Sequence, residues 1–253
     1  MRLDNRTVLI TGGTSGIGRE LAKQLLARGN TVIVTGRDDA KLAATKLALP
    51  EVHTFASDVS DSSAITALHG EVLARFPALD TLVSNAGVMR NVRLTDARDL
   101  EDVTREIATN LSGPVQMIQQ FLPHLMSRPA ALIVNVSSGL AFIPFPAAPV
   151  YCATKAAIHS FTLSLRVQLR GTGVTVVELA PPGTETPLLR GEFEREMKGQ
   201  KGMDPAVLVQ RALAGIEAGR LEIRPGLANV LSFMSRAAPS FMMKQMAKMS
   251  EPR

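Results

Sequence analysis

Thr7-Val8-Leu9-Ile10-Thr11-Gly12-Gly13-Thr14-Ser15-Gly16-Ile17-Gly18 is the stretch whose reading decides the fold. It opens as a short apolar run rich in β-branched residues, the composition of a buried strand. Thr11-Gly12-Gly13 stops that run, and beyond Gly18 the apolar residues fall at Leu21, Leu25 and Leu26. That is the spacing of an amphipathic helix, which ends near Gly29. A strand passing through a glycine turn straight into a helix aims the helix's free N–H groups and positive dipole end into the turn. Glycines at 12, 16 and 18 permit a tight turn, backbone approach to a pyrophosphate and close helix-on-strand packing. A lone glycine triplet also fits an ordinary strand-to-helix turn. Its position after the first strand of an alternating chain favours dinucleotide binding.

The alternation continues outward from this stretch. Strands are expected at 31–35, 52–56, 79–83, 131–136 and 174–179, with helices at 38–48, 61–76, 97–127 and 150–170. The helical stretch 97–127 is expected to break at Gly113-Pro114. Strands separated by helices of 10–20 residues predict an α/β fold: a Rossmann-like, doubly wound, mostly parallel sheet with helices on both faces. Nearly continuous apolar strands fit burial on both sides. No linker rich in Pro, Gly or Ser divides the chain before about residue 181, so 1–253 reads as a single domain. Within it, 188–203 is expected to form a substrate loop and 225–253 a C-terminal extension.

Composition excludes several classes. The formal net charge is +5, with local +3 over residues 225–253, where Arg236, Lys244, Lys248 and Arg253 face Glu251 alone. Nine Phe, one Tyr and no Trp supply no aromatic stripe beside a basic face, which argues against nucleic-acid binding. The charged N-terminus is followed by too short an apolar run for a signal peptide, and no apolar run reaches about 18 residues. One cysteine, Cys152, excludes an internal disulfide framework and a multi-cysteine metal site. His53, His69, His124 and His159 lack ligand spacing, so no metal is expected and structural roles fit them better. A cytoplasmic protein is the expectation.

Tyr151, the sole tyrosine, precedes Lys155 by one helical turn, so the two share a face. A free phenol, with a pKa of about 10, is a poor acid–base group at neutral pH. A cation about 4 Å away at an effective dielectric near 20 would favour phenolate by roughly 4 kcal/mol, an upper bound of about three pKa units. Alone, such a pair is most simply a solvated coincidence; with the glycine loop it reads as chemistry.

The series Thr11-Gly12-x-x-x-Gly16-x-Gly18, Asp58-Val59, Asn85-Ala86-Gly87, Asn110, Ser138, Tyr151 and Lys155 resembles the short-chain dehydrogenase/reductase family over about 180 residues. Within the family, the runs Ser138-Gly139-Leu140-Ala141-Phe142 and Pro149-Val150-Tyr151-Cys152-Ala153-Thr154-Lys155 are similar to a branch encoded beside lipoteichoic-acid D-alanylation genes, a likeness that implies no substrate. The resemblance implies four catalytic positions. Tyr151 would pass the proton, Ser138 polarise the substrate oxygen, Lys155 tune Tyr151 and bind the nicotinamide ribose, and Asn110 support a proton relay. Ser137, adjacent to Ser138, remains the competing serine, because neighbouring strand residues tell only that they face oppositely. Asn110 also fits a simple helix-interrupting role. Gly12, Thr14, Ser15, Gly16, Ile17 and Gly18 would hold the pyrophosphate end, Asp58 and Val59 the adenine, and Asn85, Ala86 and Gly87 the cofactor wall. Cys152, about 100° round the helix from Tyr151, is expected to pack.

The resemblance implies hydride transfer between a nicotinamide cofactor and a small carbonyl or alcohol substrate. An acid at the end of the second strand suits NAD, whereas a cation accommodates the 2′-phosphate of NADP. Here that strand ends Thr35-Gly36-Arg37-Asp38, with Gly36 at the family's acidic position. Arg37 points to NADPH, with NADH as the alternative; Asp38 and Asp39 read as the N-cap and first turn of a helix. The family's other basic position holds Ser15. After the sixth strand, Ala180-Pro181-Pro182-Gly183-Thr184-Glu185-Thr186 departs from the family pattern: with Pro181 and Thr186 aligned at the nicotinamide amide, Pro182 occupies a glycine's place. A non-catalytic dinucleotide sensor on the same fold is the rival reading.

Two further expectations concern surfaces. Ile158, Phe161, Leu165 and Leu169 suit either the core or the family's helix-paired interface, and a homodimer or homotetramer is expected. Met242, Met246 and Met249 follow i, i+4, i+7 if 240–249 is helical, with Lys244 and Lys248 in a basic row elsewhere. That methionine face can pack on the body or a subunit, line a substrate entrance, or, beside the basic row, touch a membrane surface.

Overall fold

Val8 and Ile10 join one core while Leu9, between them, joins the other, and this alternation places a sheet between two buried layers. The computed structural model describes residues 1–193, 195, 196, 199 and 201–250. Seven strands form the sheet: β1 (Thr7–Thr11), β2 (Thr31–Gly36), β3 (His53–Ala56), β4 (Thr81–Ser84), β5 (Ala131–Val136), β6 (Val174–Leu179) and β7 (Glu222–Ile223). Their order is β3-β2-β1-β4-β5-β6-β7 and every pairing is parallel. The chain winds outward from β1 to β3, then returns to the other side of β1 for β4. The crevice of such a sheet opens at this reversal, beyond the carboxyl ends of β1 and β4.

Helices cover both faces. On one, Leu21 and Leu25 of α1 (Gly16–Leu26) and Val209 and Leu213 of α8 (Pro205–Glu217) pack with Val8, Val32 and Val134. On the other, Leu68 of α3 (Ser62–Arg75), Phe121 of α5 (Gly113–Met126) and Leu165 of α6 (Pro149–Gln168) pack with Leu9, Ile33 and Ile133. Leu165 and Leu169 belong to this core, with Phe161 packed against it, so that stripe of α6 faces inward. The remaining helices are α2 (Asp39–Ala48), α4 (Leu100–Ile107), α7 (Pro187–Arg190), α9 (Leu227–Ala237) and α10 (Pro239–Ser250). Among the described residues, no helix is long and apolar enough to cross a membrane.

The structure corrects the expectation of a break at Gly113-Pro114. Helix begins at Leu100, and the irregularity precedes the proline as a π-helical turn at Ala108–Ser112. The Gly113 N–H donates to the Ala108 carbonyl, five residues back. Pro114 contributes no donor, and the wider turn ahead of it lets the chain enter α5 with Pro114 in its first turn. β7 was not expected, because two residues carry no periodic signal.

Candidate active site

The glycine loop is fixed by sterics and by a latch. Gly12 has φ +65°, and a Cβ there would stand 2.8 Å from the Ala86 Cα. A Cβ on Gly18 would stand 2.3 Å from the Gly12 carbonyl oxygen and 2.5 Å from Asn85 Nδ2. Side chains at either position would push the loop off the segment that leaves β4. Asn85 Nδ2 donates to the carbonyls of Thr11 (3.0 Å) and Gly12 (3.1 Å), while Thr11 Oγ1 accepts from the N–H groups of Asn85 and Ala86, both at 3.0 Å. Ser15 precedes α1 in an extended conformation without a side-chain cap. The first turn of that helix therefore keeps its N–H groups for an anion.

A cavity of about 660 Å³ runs along the carboxyl edge of the sheet. It touches Gly12, Thr14, Ser15, Gly16, Ile17, Arg37, Asp58, Val59, Asn85, Ala86, Gly87, Pro181 and Thr186, besides Ser138, Tyr151 and Lys155. The tertiary structure thus gathers the expected cofactor positions, except Gly18, which packs beneath the loop, onto one wall. Gly36 and Lys41 border the same end as Arg37. Lys41 is a cation that sequence reasoning passed over, since Asp38-Asp39-Ala40-Lys41 reads simply as a helix start. Asp38 does cap α2, accepting from the Lys41 N–H at 3.0 Å. Arg37 Nη1 lies 3.7 Å from Asp58 Oδ2, a loose pairing with the arginine still more than half exposed. Asp58 also accepts from the Ser60 N–H and hydroxyl.

Asn110 is fully buried in the π-helical turn and does not contact the cavity. Its Oδ1 accepts from the Val88 N–H at 2.9 Å, and its Nδ2 donates to the Val88 carbonyl at 2.8 Å and to Thr154 Oγ1 at 3.3 Å. One helical turn earlier, Glu106 Oε1 accepts from the Arg90 N–H at 3.0 Å. A turn before that, Asp102 pairs with the Arg90 guanidinium at 2.8 Å. One helix face therefore grips the segment 88–90. Burial pushes the Glu106 carboxyl up to about 7, and its Oε2 is a buried oxygen with no partner among the described residues. Sequence reasoning missed Glu106; its place four residues before Asn110 was the available signal.

The two serines that follow β5 both border the cavity, but their hydroxyls find different partners. Ser137 Oγ donates to Glu178 Oε1 on β6 at 2.5 Å, and Glu178 Oε2 pairs with His159 Nδ1 at 2.7 Å. Ser138 begins a short 3₁₀ turn at Gly139–Ala141, accepts from the Leu140 N–H at 3.1 Å, and is near enough to Tyr151 to oppose the effect of burial on its phenol. The glutamate brought from β6 engages Ser137, and the 3₁₀ turn engages Ser138.

Tyr151 and Lys155 share a face of α6, both buried. Burial raises the Tyr151 phenol well above its ordinary value, with the Ser138 hydrogen bond opposing. Burial lowers the Lys155 ammonium to about 8. The expected ion-pair tuning takes a different form. Lys155 Nζ stands 5.6 Å from the centroid of the Tyr151 ring and donates to the Val136 carbonyl at 2.9 Å. The lysine is held by backbone, and desolvation disfavours both charged forms. Cys152 packs as expected: its sulfur accepts from the Phe145 N–H at 3.2 Å, and burial pushes its thiol up to about 11.

Thr186 caps α7, lies over Gly16, and borders the cavity beside Pro181 and Pro182. Leu188, Leu189, Lys201 and Gly202 of the expected substrate loop border it too; residues 194, 197, 198 and 200 of that loop lie outside the described residues. In the C-terminal extension, Met246 is buried in a cluster with Tyr151, Phe145 and Met89, against which Met242 and Met249 pack. Met246 and Met249 also wall the cavity, so the packing and cavity-lining readings describe a single face. Lys244 and Lys248 lie on the exposed side of α10; Glu251 and Arg253 lie outside the described residues.

A doubly wound parallel sheet with this glycine latch and this Ser, Tyr and Lys set defines a class. The short chain dehydrogenase family model matches residues 6–197, and the chain belongs to that family of oxidoreductases. It is 44% identical over 247 residues to the uncharacterized oxidoreductase DltE of Bacillus subtilis, covering 97% of this chain and 98% of that one. The likeness carried by the runs at 138–142 and 149–155 is to this relative's branch. The NADP-dependent 3-hydroxy acid dehydrogenase YdfG of Salmonella typhi is 34% identical over 197 residues, 76% of this chain and 79% of its own. Among solved structures, a short chain dehydrogenase of Burkholderia cenocepacia in complex with NADP covers both chains completely, with a TM-score of 0.83 and 24% identity.

Proposed function

We propose that this chain is an NADPH-preferring reductase that interconverts a carbonyl and an alcohol. The observation that carries the reading is the placement of Ser138, Tyr151 and Lys155 at one end of a cavity whose other end holds Arg37 and Lys41. The residues fit a dinucleotide. The uncapped first turn of α1 offers N–H donors to a pyrophosphate, and the positions of Gly12 and Gly18 leave no room for a Cβ. Arg37 and Lys41 supply cations suited to a 2′-phosphate, and the YdfG relative is named as NADP-dependent.

When bound, the nicotinamide supplies or accepts the hydride. Ser138 donates a hydrogen bond to the substrate oxygen and stabilises the charge developing there during reduction. Tyr151 delivers the proton to that oxygen; burial holds its phenol protonated, the form that donates. Lys155, fixed to the Val136 carbonyl, keeps a positive charge beside the phenol and presents a donor to the ribose. Asn110 positions the segment that carries Gly87 and Val88 along the cavity wall. Leu163 and Val167, exposed on the outer side of α6, support assembly into a homo-oligomer.

Absorbance at 340 nm, followed while a panel of ketones and aldehydes is added to protein and NADPH, tests this reading. Turnover is expected with at least one carbonyl. Tyr151→Phe is expected to bind NADPH nearly as tightly and to lose about 10²–10⁴-fold in turnover. A variant retaining more than a tenth of the rate would remove Tyr151 from its role.

A further inference from the structure

The end of the cavity that holds Ser138 and Tyr151 has a different character from the end that holds Arg37. Its wall is built from Met89, Leu140, Phe145, Leu231, Met246 and Met249. These are also the residues of, or packed against, the buried cluster that contains Tyr151, so the apolar surface reaches the phenol itself. Besides Arg37 and Lys41, the cations bordering the cavity among the described residues are Lys155, which donates to the Val136 carbonyl, and the exposed Lys201. An anion held against these six apolar side chains would be desolvated with no hydrogen-bond donor among them. The YdfG relative is named for a hydroxy acid, an anion; this wall is unsuited to one.

The apolar wall also continues outward. Leu227 and Val230 border the cavity yet are 69% and 51% exposed, and Phe233, one turn further along α9, is 70% exposed. They follow i, i+3, i+6 and lie on one side of the helix. Leu231 and Met246 are the inward part of this surface and Leu227 and Val230 its rim, with Phe233 exposed on α9 beyond the cavity lining. An apolar surface running from the Tyr151 cluster to the exposed rim offers a flexible hydrocarbon chain apolar contact along the cavity. Methionines at its inner part adapt to chains of differing shape.

Resting on the carbonyl-reductase reading, we propose that the substrate is an uncharged aldehyde or ketone bearing an extended apolar chain. Its carbonyl sits at Ser138 and Tyr151, and its chain lies along Met246, Leu231 and Val230 towards Phe233. The chain is the occupant of the exposed α9 face. In the reductive direction a hydride and a proton are added to the carbonyl, giving the alcohol, and the chain takes no part beyond binding.

Two measurements test this separately from the activity itself. In the first, kcat/KM with NADPH is measured for linear aldehydes from butanal to dodecanal and for a short carboxylated aldehyde. A rise of about fourfold per methylene is expected until the chain passes the rim. Val230→Asp, at an exposed position compatible with folding, is expected to flatten that rise. In the second, calorimetry compares butanol and decanol binding to the protein with NADP added. Decanol should bind at least tenfold more tightly, and Val230→Asp should abolish most of the difference. Reduction without chain-length dependence, or preference for the carboxylated aldehyde, would overturn the inference and leave the reductase reading standing. Tighter decanol binding without reduction of any carbonyl would sink the reductase reading and keep the apolar chain site. Equal binding of the two alcohols would overturn the site.

Discussion

Asn110 and the main chain of Val88 exchange two hydrogen bonds, one in each direction, at 2.9 and 2.8 Å. The exchange ties the π-helical turn to the segment leaving β4, which the Asn85 latch already holds to the glycine loop. Gly87 lies between: a Cβ there would stand 3.4 Å from Asn110 Oδ1 and 3.6 Å from Lys155 Nζ. Three parts of the site therefore share one backbone support.

Asn110→Ala leaves the half-buried N–H and carbonyl of Val88 without their side-chain partner. The expected loss is about 1–3 kcal/mol of stability, read by urea unfolding. Asn110→Asp keeps the acceptor, loses the donor and brings a charge into a buried site, so it should not restore wild-type stability. A stability equal to wild type in Asn110→Ala would show that the exchange holds nothing.

The two adjacent serines should separate cleanly. Ser138→Ala is expected to fold normally and to lose about 10²–10³-fold in turnover, the scale for a donor to a developing oxyanion. Ser137→Ala removes the donor to the buried Glu178 carboxylate, so it should destabilise by about 1–3 kcal/mol while the remaining folded protein keeps its turnover. The reverse pattern would exchange their roles.

Cofactor choice should depend on the cations at the far end of the cavity. Arg37→Ala is expected to raise KM for NADPH about tenfold and to leave KM for NADH nearly unchanged, because a charge-assisted contact to a phosphate is lost. Steady-state kinetics with both cofactors decide it, and an equal rise for both would remove the 2′-phosphate from the argument.

Glu106 gives a stability that depends on pH. Its ordinary value of 4.5 is pushed up to about 7 by burial, so between those values the folded protein keeps a proton that the unfolded chain has released. Stability from this group is therefore fully present below about 4.5 and declines as pH rises through 7. Glu106→Gln cannot titrate. Its melting temperature relative to wild type should rise by about 3 °C or more between pH 5 and pH 8, measured by scanning calorimetry. A constant difference across that range would show that Glu106 ionises normally.

How much of this was legible in the sequence follows from the range of the forces involved. Strands β5 and β6 begin and end where the predicted runs do, at 131–136 and 174–179, because segments dominated by Val, Ile and Leu specify burial locally even with Asn135, Thr175 and Glu178 among them. The glycine loop was equally legible, since Gly12 and Gly18 record backbone geometry that other residues cannot adopt or fit. Family membership followed from the order of such local signals, as did the pairing of Tyr151 with Lys155 one turn later.

Tertiary structure decided what depends on partners distant in sequence. Glu178, arriving on β6, takes the Ser137 hydroxyl, while Ser138 stands near Tyr151. β7 is a strand only because Glu178 and Leu179 give its two residues something to pair with. The Val136 carbonyl takes the Lys155 ammonium, so desolvation rather than mutual attraction governs that pair. The α10 methionines read as an amphipathic stripe, but only the folded chain shows that Met246 meets Tyr151. Periodicity and turn stereochemistry act within a few residues and are written in the sequence itself; desolvation and hydrogen-bond partnership act through space, and the packed sheet alone determines them.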